Sequence, residues 1–401
     1  MKILQIASLV PYPPIDGGRV GIYNLTRQYL RHGMEVHFAA PRVNANDAET
    51  FGRDVHLHFF DVDPRNSLLG IARNLGRTLP YTVEKYHSQT ALQQLCTLME
   101  QERFDVIHVD YLNLAWYGIE LRERYGVPVL LREHNFQSEI FERLRTTARN
   151  PVMRWYAGLE HKRLLTYEKG AVQRVDLVAP ISGRDEAKLR ALAPTMHSQV
   201  VPAGVNSSSF IVRHHERRNT VLFWASYDWL ANRDSLDFFS GEIVPRLLRL
   251  FPEVRVLVAG KMTDKLPRRK RLPSMEVIGF VPDANTLSTR ANVAVIPLRI
   301  GGWVRIKLLE LMAMGMAVVS TSVGAEGIDV TPGKNLLVAD DPDAFAEAVV
   351  SLLRSPAESE RLGTNARTLV EEHYSWDSVG DRLSEIVAGM TRSQKMRKNE
   401  A

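Results

Sequence analysis

Arg299-Ile-Gly-Gly-Trp-Val-Arg-Ile-Lys-Leu-Leu-Glu-Leu-Met-Ala-Met-Gly315 is the stretch on which the reading of this 401-residue chain turns. It follows the apolar run Asn292-Val-Ala-Val-Ile-Pro-Leu298, which reads as a buried parallel strand. Gly301 and Gly302 break that run. Trp303 then leads into a helix predicted over residues 304–314, with Gly315 as its stop. Arg305 and Lys307 fall in the first turn of this helix, where the macrodipole disfavours cations unless an anion is bound. Glu310 interrupts an apolar stretch, and an unpaired carboxylate is expensive to bury there. An anion at the helix start and a hydrogen-bonding partner for Glu310 would resolve both oddities. A nucleotide diphosphate with its ribose supplies the two together.

The rest of the chain sets bounds on that idea. Hydrophobic content of 45% and charged content of 24% describe a soluble globular protein with enough chain for two cores. A net charge of +5 suits phosphorylated ligands or an anionic membrane surface and is too small to argue for nucleic acid. The single cysteine, Cys96, rules out an intramolecular disulfide framework, fits a reducing compartment and reads as a buried structural thiol. No apolar run approaches the roughly eighteen residues a membrane span needs. Met1-Lys-Ile-Leu-Gln-Ile-Ala-Ser8 is too short, and too interrupted by Gln5, for a signal peptide; it reads as a first strand. A cytoplasmic protein is expected, with the inner face of the membrane as a second location.

Apolar runs alternate with helical patterns throughout, which predicts α/β architecture with parallel sheets. In the first half the expected strands are 3–7, 35–39, 56–60, 106–109, 128–132, 177–181 and 200–202, with a helix at 20–32. In the second half they are 221–225, 254–259, 276–279, 293–297, 317–320 and 336–339. Helices are expected there at 234–250, 304–314, 343–353 and 357–372, then a last helix at 376–390. The division is therefore residues 1–205, a polar linker at 206–218, a second domain at 219–375, the final helix, and a disordered basic tail at 391–401. Residues 135–170 exceed what a crossover helix needs and interleave Arg143, Arg145, Arg149, Arg154, Lys162 and Arg163 with Trp155 and Tyr156. That segment reads as a surface excursion or as a membrane- or acceptor-facing surface. The basic run at 265–271 reads as solvated surface.

Two motifs in the first half bear on chemistry. Asp16-Gly17-Gly18 forms a loop near the C-terminal end of the first strand, the edge where open parallel sheets bind ligands. The spacing of Gly17, Gly18 and Gly21 is not that of a dinucleotide fingerprint. Leu131-Arg-Glu-His-Asn135 ends another strand and sets His134, beside Glu133, at the same edge. Asp61-Val-Asp63 and Asp340-Asp-Pro-Asp343 look superficially like metal motifs; the second reads as a turn and helix N-cap. The histidines and Cys96 lack zinc-ligand spacing along the chain, so no metal site is expected. Neither a nucleophile elbow nor a Walker loop is present.

With these pieces placed, the sequence resembles the retaining GT-B glycosyltransferases of family 4 over nearly its whole length. The likeness is carried by Glu276-Val-Ile-Gly-Phe-Val-Pro-Asp283, by the stretch from Gly302 to Gly315, and by Val318-Val-Ser-Thr-Ser-Val-Gly-Ala-Glu-Gly-Ile328. Tyr227-Asp-Trp-Leu-Ala-Asn232, Ile181-Ser182, Val201-Pro-Ala-Gly-Val205 and Ser375-Trp376 match further landmarks. The resemblance implies two Rossmann-like domains facing across a cleft, with the C-terminal helix crossing back to the first. It implies a retaining, metal-independent, hexosyltransferase-like enzyme that uses a nucleotide-diphosphate sugar as co-substrate and needs no resident cofactor. The acceptor would be a saccharide or a lipid-linked one, in polysaccharide or glycolipid synthesis, with a peripheral membrane contact and no nucleic acid. Carried over by position, Glu310 binds the donor ribose, Gly17 and Gly18 approach the diphosphate, and His134 lies near the donor sugar as the catalytic-site histidine. Gly301, Gly302, Trp303, Arg305 and Lys307 complete the donor site. The pattern departs at Gly302, where the family carries the first glutamate of a pair, and no Arg/Lys pair is found near Asn232 and Arg233. Two other functions share this architecture: a non-catalytic sugar-nucleotide-binding subunit and a sugar-nucleotide epimerase.

Overall fold

The computed structural model describes residues 1–14, 16–42, 48–148, 150–212, 219–227, 229–263, 273–301 and 304–400. The first unit holds β1 (Lys2–Ile6), β2 (Glu35–Pro41), β3 (His56–Phe60), β4 (Val106–Asp110), β5 (Val129–Glu133) and β6 (Leu177–Pro180). The second holds β7 (Thr220–Trp224), β8 (Arg255–Ala259), β9 (Met275–Gly279), β10 (Val293–Ile296), β11 (Ala317–Ser320) and β12 (Leu337–Val338). They form two sheets, ordered β3-β2-β1-β4-β5-β6 and β12-β11-β10-β7-β8-β9, and the pairings within each are parallel. Both sheets are wound the same way. In each, the strand order reverses beside the unit's first strand, between β1 and β4 and between β7 and β10. Helices cover both faces, so central strands such as β4, β5, β7 and β10 are buried along their whole length.

The chain divides into Met1–Pro202 with Gly380–Ala401, and Ala203–Val379. Residues 203–212, assigned from sequence partly to a linker, are built into the second unit. Val205 N–H donates to the Tyr374 carbonyl (2.7 Å), Ile211 N–H to Asn285 Oδ1 (2.8 Å), and Phe210 packs on the apolar core. The rest of the expected linker, 213–218, and the basic run 265–271 lie outside the described residues. The expected disordered tail is helical: one helix runs Trp376–Glu400. Leu383, Ile386 and Val387 are buried, and Thr391 Oγ1 reaches Met1 Sδ at 3.3 Å.

Other departures have local causes. The expected strand at 200–202 makes only strand-like hydrogen bonds to β6, through Gln199 N–H to Val178 O and Val201 N–H to Pro180 O. Pro202 has no N–H with which to extend a ladder. The Val201 and Pro202 carbonyls are taken instead by the buried Arg132 guanidinium. The helix expected at 234–250 starts earlier, at Leu230, and passes through a π turn at Phe239–Ile243 into Val244–Leu250. Pro245 explains the π turn, because it cannot donate the α-helical hydrogen bond one turn back. Residues 135–170 fold as two packed helices, Gln137–Thr147 and Pro151–Arg174, the second capped by the Asn150 side chain.

One packing constraint in the second unit is severe. A Cβ on Gly363, in the Pro356–His373 helix, would overlap the carbonyl of Gly315, which ends the Ile306–Ala313 helix with φ of +70°. Gly363→Ala is expected to lower unfolding free energy by about 1–3 kcal/mol in urea titration. Gly389→Ala, where a Cβ meets open space in a helix, should instead raise it by roughly 0.5–1 kcal/mol.

Candidate functional site

The first unit gathers its polar residues at the strand-order reversal. β1 leads to the helix Gly17–Arg31, whose N-cap Asp16 accepts from Arg19 N–H at 2.9 Å. Gly17 and Gly18 are thus the first residues of a helix rather than a flexible loop before one. β4 ends at Asp110, and Tyr111 follows with φ of +76°, a backbone conformation that is strained for any non-glycine residue. The Tyr111 ring stacks on the His134 imidazole, centroids 4.0 Å apart. A Cβ on Gly18 would overlap the Tyr111 hydroxyl, whereas one on Gly17 meets open space. Gly18 and His134 are therefore brought together through Tyr111.

Asp110 organises this end of the sheet. Fully buried, it accepts from Gln5 Nε2 (2.7 Å) and lies 3.1 Å from His134 Nε2, with His108 Nε2 at 3.6 Å. Gln5 in turn accepts from Thr26 Oγ1 at 2.8 Å, which ties the helix to the network. Burial alone would raise the Asp110 pKa; His108, the hydrogen bond and charge of His134, and Gln5 outweigh it and hold it at about 2. The carboxylate is therefore ionised and can only accept, which puts the His134 proton on Nε2 and a lone pair on Nδ1. Burial shifts His134 towards its neutral form against the pull of Asp110. The result is an oriented imidazole able to accept from a ligand hydroxyl.

Glu133, adjacent in sequence, is not the partner of His134. It is fully buried, and its pKa is pushed well up by burial first, then by Glu168 and Asp185. Asp110, Tyr111, Gln5, His108 and Arg132 were not singled out from sequence. Their signal was present as polar residues inside apolar strands: Gln5 in β1, and His108 and Asp110 alternating along β4.

The second unit has its own cluster at the equivalent reversal. β7 ends at Trp224, and β10 leads to the helix Ile306–Ala313. Arg305 is the N-cap residue rather than part of the first turn, and its side chain has no acceptor with which to cap the helix amides. The Lys307 ammonium sits 3.4 Å from the Trp224 ring centroid and 2.8 Å from Glu310 Oε2. Glu310, which sequence left isolated, thus has a cationic neighbour, and Lys307 is clamped between ring and carboxylate. A Cβ on Gly301 would overlap the Arg305 guanidinium, so this glycine lets the guanidinium lie against the loop backbone. Gly302 and Trp303 lie outside the described residues. Arg299 is engaged elsewhere, paired with Asp234 (2.8 Å) and stacked on Phe238. Asn232 donates to the Ser226 carbonyl at 2.7 Å and Arg233 is exposed. Of the acidic motifs, Asp61 pairs with Arg42, Asp63 with Arg65, and Asp341 caps the next helix, as read from sequence.

Two doubly wound α/β units of this kind are the architecture of the GT-B fold class. Comparison with known proteins agrees: residues 16–204 match the glycosyl transferase 4-like domain and residues 218–355 the glycosyl transferases group 1 model, and the chain belongs to that family. It is similar to the MMP alpha-(1->4)-mannosyltransferase of Mycolicibacterium hassiacum, 27% identical over 69% of this chain and 68% of that protein. Alignments with two further curated relatives span less than half of their own length, 43% and 42%. Among solved structures, sucrose-phosphate synthase from Thermosynechococcus elongatus superposes with a TM-score of 0.70 at 18% identity, covering 98% of this chain and 100% of that one. Anabaena HepE in complex with UDP gives 0.66 at 12% identity, covering 97% and 100%. At these identities the structural likeness concerns the fold.

The buried histidine of this network predicts a pH dependence. His108 is taken down to about 4, first by burial and further by Arg132 and His134, with Asp110 opposing. Unfolding restores its ordinary value, so between about pH 6.5 and 4 the unfolded chain binds more protons and stability rises with pH. From pH 7 to pH 5 this group should remove about 2 kcal/mol of stability. In urea titrations at the two pH values, His108→Gln should lose that part of the slope; what remains comes from the other shifted groups, among them His58, also near 4, acting in the same direction, and Glu168, raised by burial to about 7, acting in the opposite one.

Proposed function

We propose that the protein is a retaining glycosyltransferase, moving a sugar from a nucleotide-diphosphate sugar to a hydroxyl acceptor. The observation that carries this reading is the Trp224–Lys307–Glu310 clamp at a helix start beside the strand-order reversal of the second unit. Glu310 is suited to accept both hydroxyls of a ribose, with Lys307 holding the carboxylate in place. Arg305 and the first amides of the Ile306–Ala313 helix offer positive potential to a diphosphate. The UDP named with Anabaena HepE supports a nucleoside diphosphate as the ligand of such a fold. His134 accepts from a sugar hydroxyl through Nδ1. As the glycosidic bond breaks, the bonding pair leaves with the diphosphate, whose phosphate oxygen takes the acceptor proton on the same face; the acceptor oxygen bonds to the anomeric carbon there, with retention. The chain's contribution is positioning and stabilisation of the leaving diphosphate. Because Arg305, Lys307 and helix amides offset the diphosphate charge, we infer no need for a catalytic metal or a resident cofactor.

A role in polysaccharide or glycolipid synthesis fits the exposed surface of the Pro151–Arg174 helix. There Val152, Met153 and Trp155 project beside Arg154, a composition suited to the interface of an anionic membrane. Among the described residues no helix is long and apolar enough to cross a membrane.

A thermal-shift panel of sugar nucleotides comes first, followed by turnover with the stabilising donor in EDTA and determination of the product anomer by NMR. The donor should raise Tm, and the new bond should keep the donor's anomeric configuration. Glu310→Ala should lower kcat/KM by about 10- to 100-fold, as expected on losing hydrogen bonds to a charged group. Arg305→Ala with Lys307→Ala should weaken donor binding while the fold persists. Gly302, in place of the family glutamate, gives a second reading some weight: donor binding with no transfer to any acceptor would identify a non-catalytic binding subunit. Donor epimerised in the absence of acceptor would also sink the transferase reading.

A further inference from the structure

The opposite edge of the first sheet holds a group of side chains with no part in the chemistry above. Glu35 opens β2 and His37 follows on the same face; parallel register sets His37 beside His56, and Ala39 beside His58. Three imidazoles and a carboxylate therefore share one face of β2 and β3. His37 Nε2 lies 3.1 Å and His56 Nε2 3.6 Å from the same oxygen, Glu35 Oε1. The His37 and His56 rings stack 4.5 Å apart. His37 is almost fully buried against Phe104, while His56 and Glu35 reach solvent.

We propose that Glu35, His37 and His56 form a binding site for a late first-row divalent cation of the Zn2+ type. A tetrahedral ion with ordinary Zn–N and Zn–O bonds sets its ligand atoms about 3.3–3.5 Å apart, close to the two spacings from Glu35 Oε1. His37 Nδ1 lies 3.0 Å from His58 Nε2. Without a metal, His37 Nε2–H donates to Glu35 Oε1; a cation replaces that proton, and the tautomer with the proton on Nδ1, donated to His58, leaves the Nε2 lone pair facing the site. This is the outer hydrogen bond that metal-bound histidines ordinarily make. Glu35 Oε1 is shared with the Lys2 ammonium at 3.0 Å, which opposes a cation, but Glu102 lies 2.7 Å from the same ammonium. Two carboxylates against one lysine leave the neighbourhood negative. The solvent-facing side leaves a fourth position for water. Two imidazoles select a borderline cation over Mg2+ or Ca2+, which prefer oxygen. Occupation would pin the edge strand β3 to β2.

The site is invisible in the spacing of histidines along the chain, because strand pairing creates it across the interval from 37 to 56. Its test uses the full chain, free of any histidine tag and stripped with chelator, titrated with Zn2+ by calorimetry and followed by thermal unfolding. One equivalent should bind and raise Tm, with no shift on adding Mg2+. His56→Ala, at an exposed position, should fold normally and weaken Zn2+ binding at least tenfold, and Glu35→Gln should do the same. His58→Ala, which removes the outer hydrogen bond together with a ring stacked on His37, should weaken it by about 10- to 100-fold. Wild-type affinity in His56→Ala and Glu35→Gln, absence of a saturable Zn2+-dependent rise in Tm, or an equal rise with Mg2+ would each overturn the proposal.

Discussion

Parallel strands can be joined only by crossovers that run back over the sheet, and a sheet wound in both directions from its middle must part its crossovers there. That constraint acts twice in this chain, between β1 and β4 and between β7 and β10. At each parting the strand ends are left open to a ligand, and the polar residues inside otherwise apolar strands collect there. Gln5, His108 and Asp110 do so in the first unit. In the second, Trp224 at the end of β7 meets the loop and helix that follow β10. The rest of each unit is a packed frame that fixes where these ends lie.

The first unit shows how a buried charge is made tolerable. Asp110 stays ionised in the interior because an amide, a histidine and the nearby field of a second histidine favour its charged form over the penalty of burial. The arrangement gives back what it requires, since the ionised carboxylate orients the imidazole and fixes its tautomer. Tyr111 is held in its strained backbone conformation where its ring covers one face of that imidazole and its hydroxyl fills the space a side chain on Gly18 would need. Strain, glycine and histidine are thus parts of one packing solution.

Strand positions were largely legible, because two-sided burial writes a continuous apolar run that local reading detects; β3 and β11 fall where they were expected. Legibility failed where a backbone group is satisfied by something distant in sequence. The run at 200–202 looks like a strand, but its carbonyls go to Arg132, seventy residues earlier. The basic tail looks disordered because it carries almost no apolar residues of its own; it is helical as the continuation of the Trp376–Glu400 helix, which is anchored earlier by Leu383, Ile386 and Val387. In the site, Glu310, Lys307 and Arg305 could be read from their conflict with local rules. Asp110 could not be told from an ordinary strand-end turn, and the sequence adjacency of Glu133 to His134 says nothing of the imidazole's partner, which comes from the neighbouring strand. The Lys307–Glu310 pair was overlooked although its spacing of three along a helix is the ordinary one for such pairs.

The Trp376–Glu400 helix has a consequence for how the protein is made. It is synthesised after the second unit, yet from Gly380 onward it belongs to the first. The unit that leaves the ribosome first is therefore the last to be finished, and waits through nearly two hundred residues with the surface for Leu383 and Val387 uncovered. A nascent chain in that interval is a natural client for a chaperone. A fragment ending at Pro202 would carry the same bare surface permanently, whereas splicing the final helix onto it would restore a closed domain.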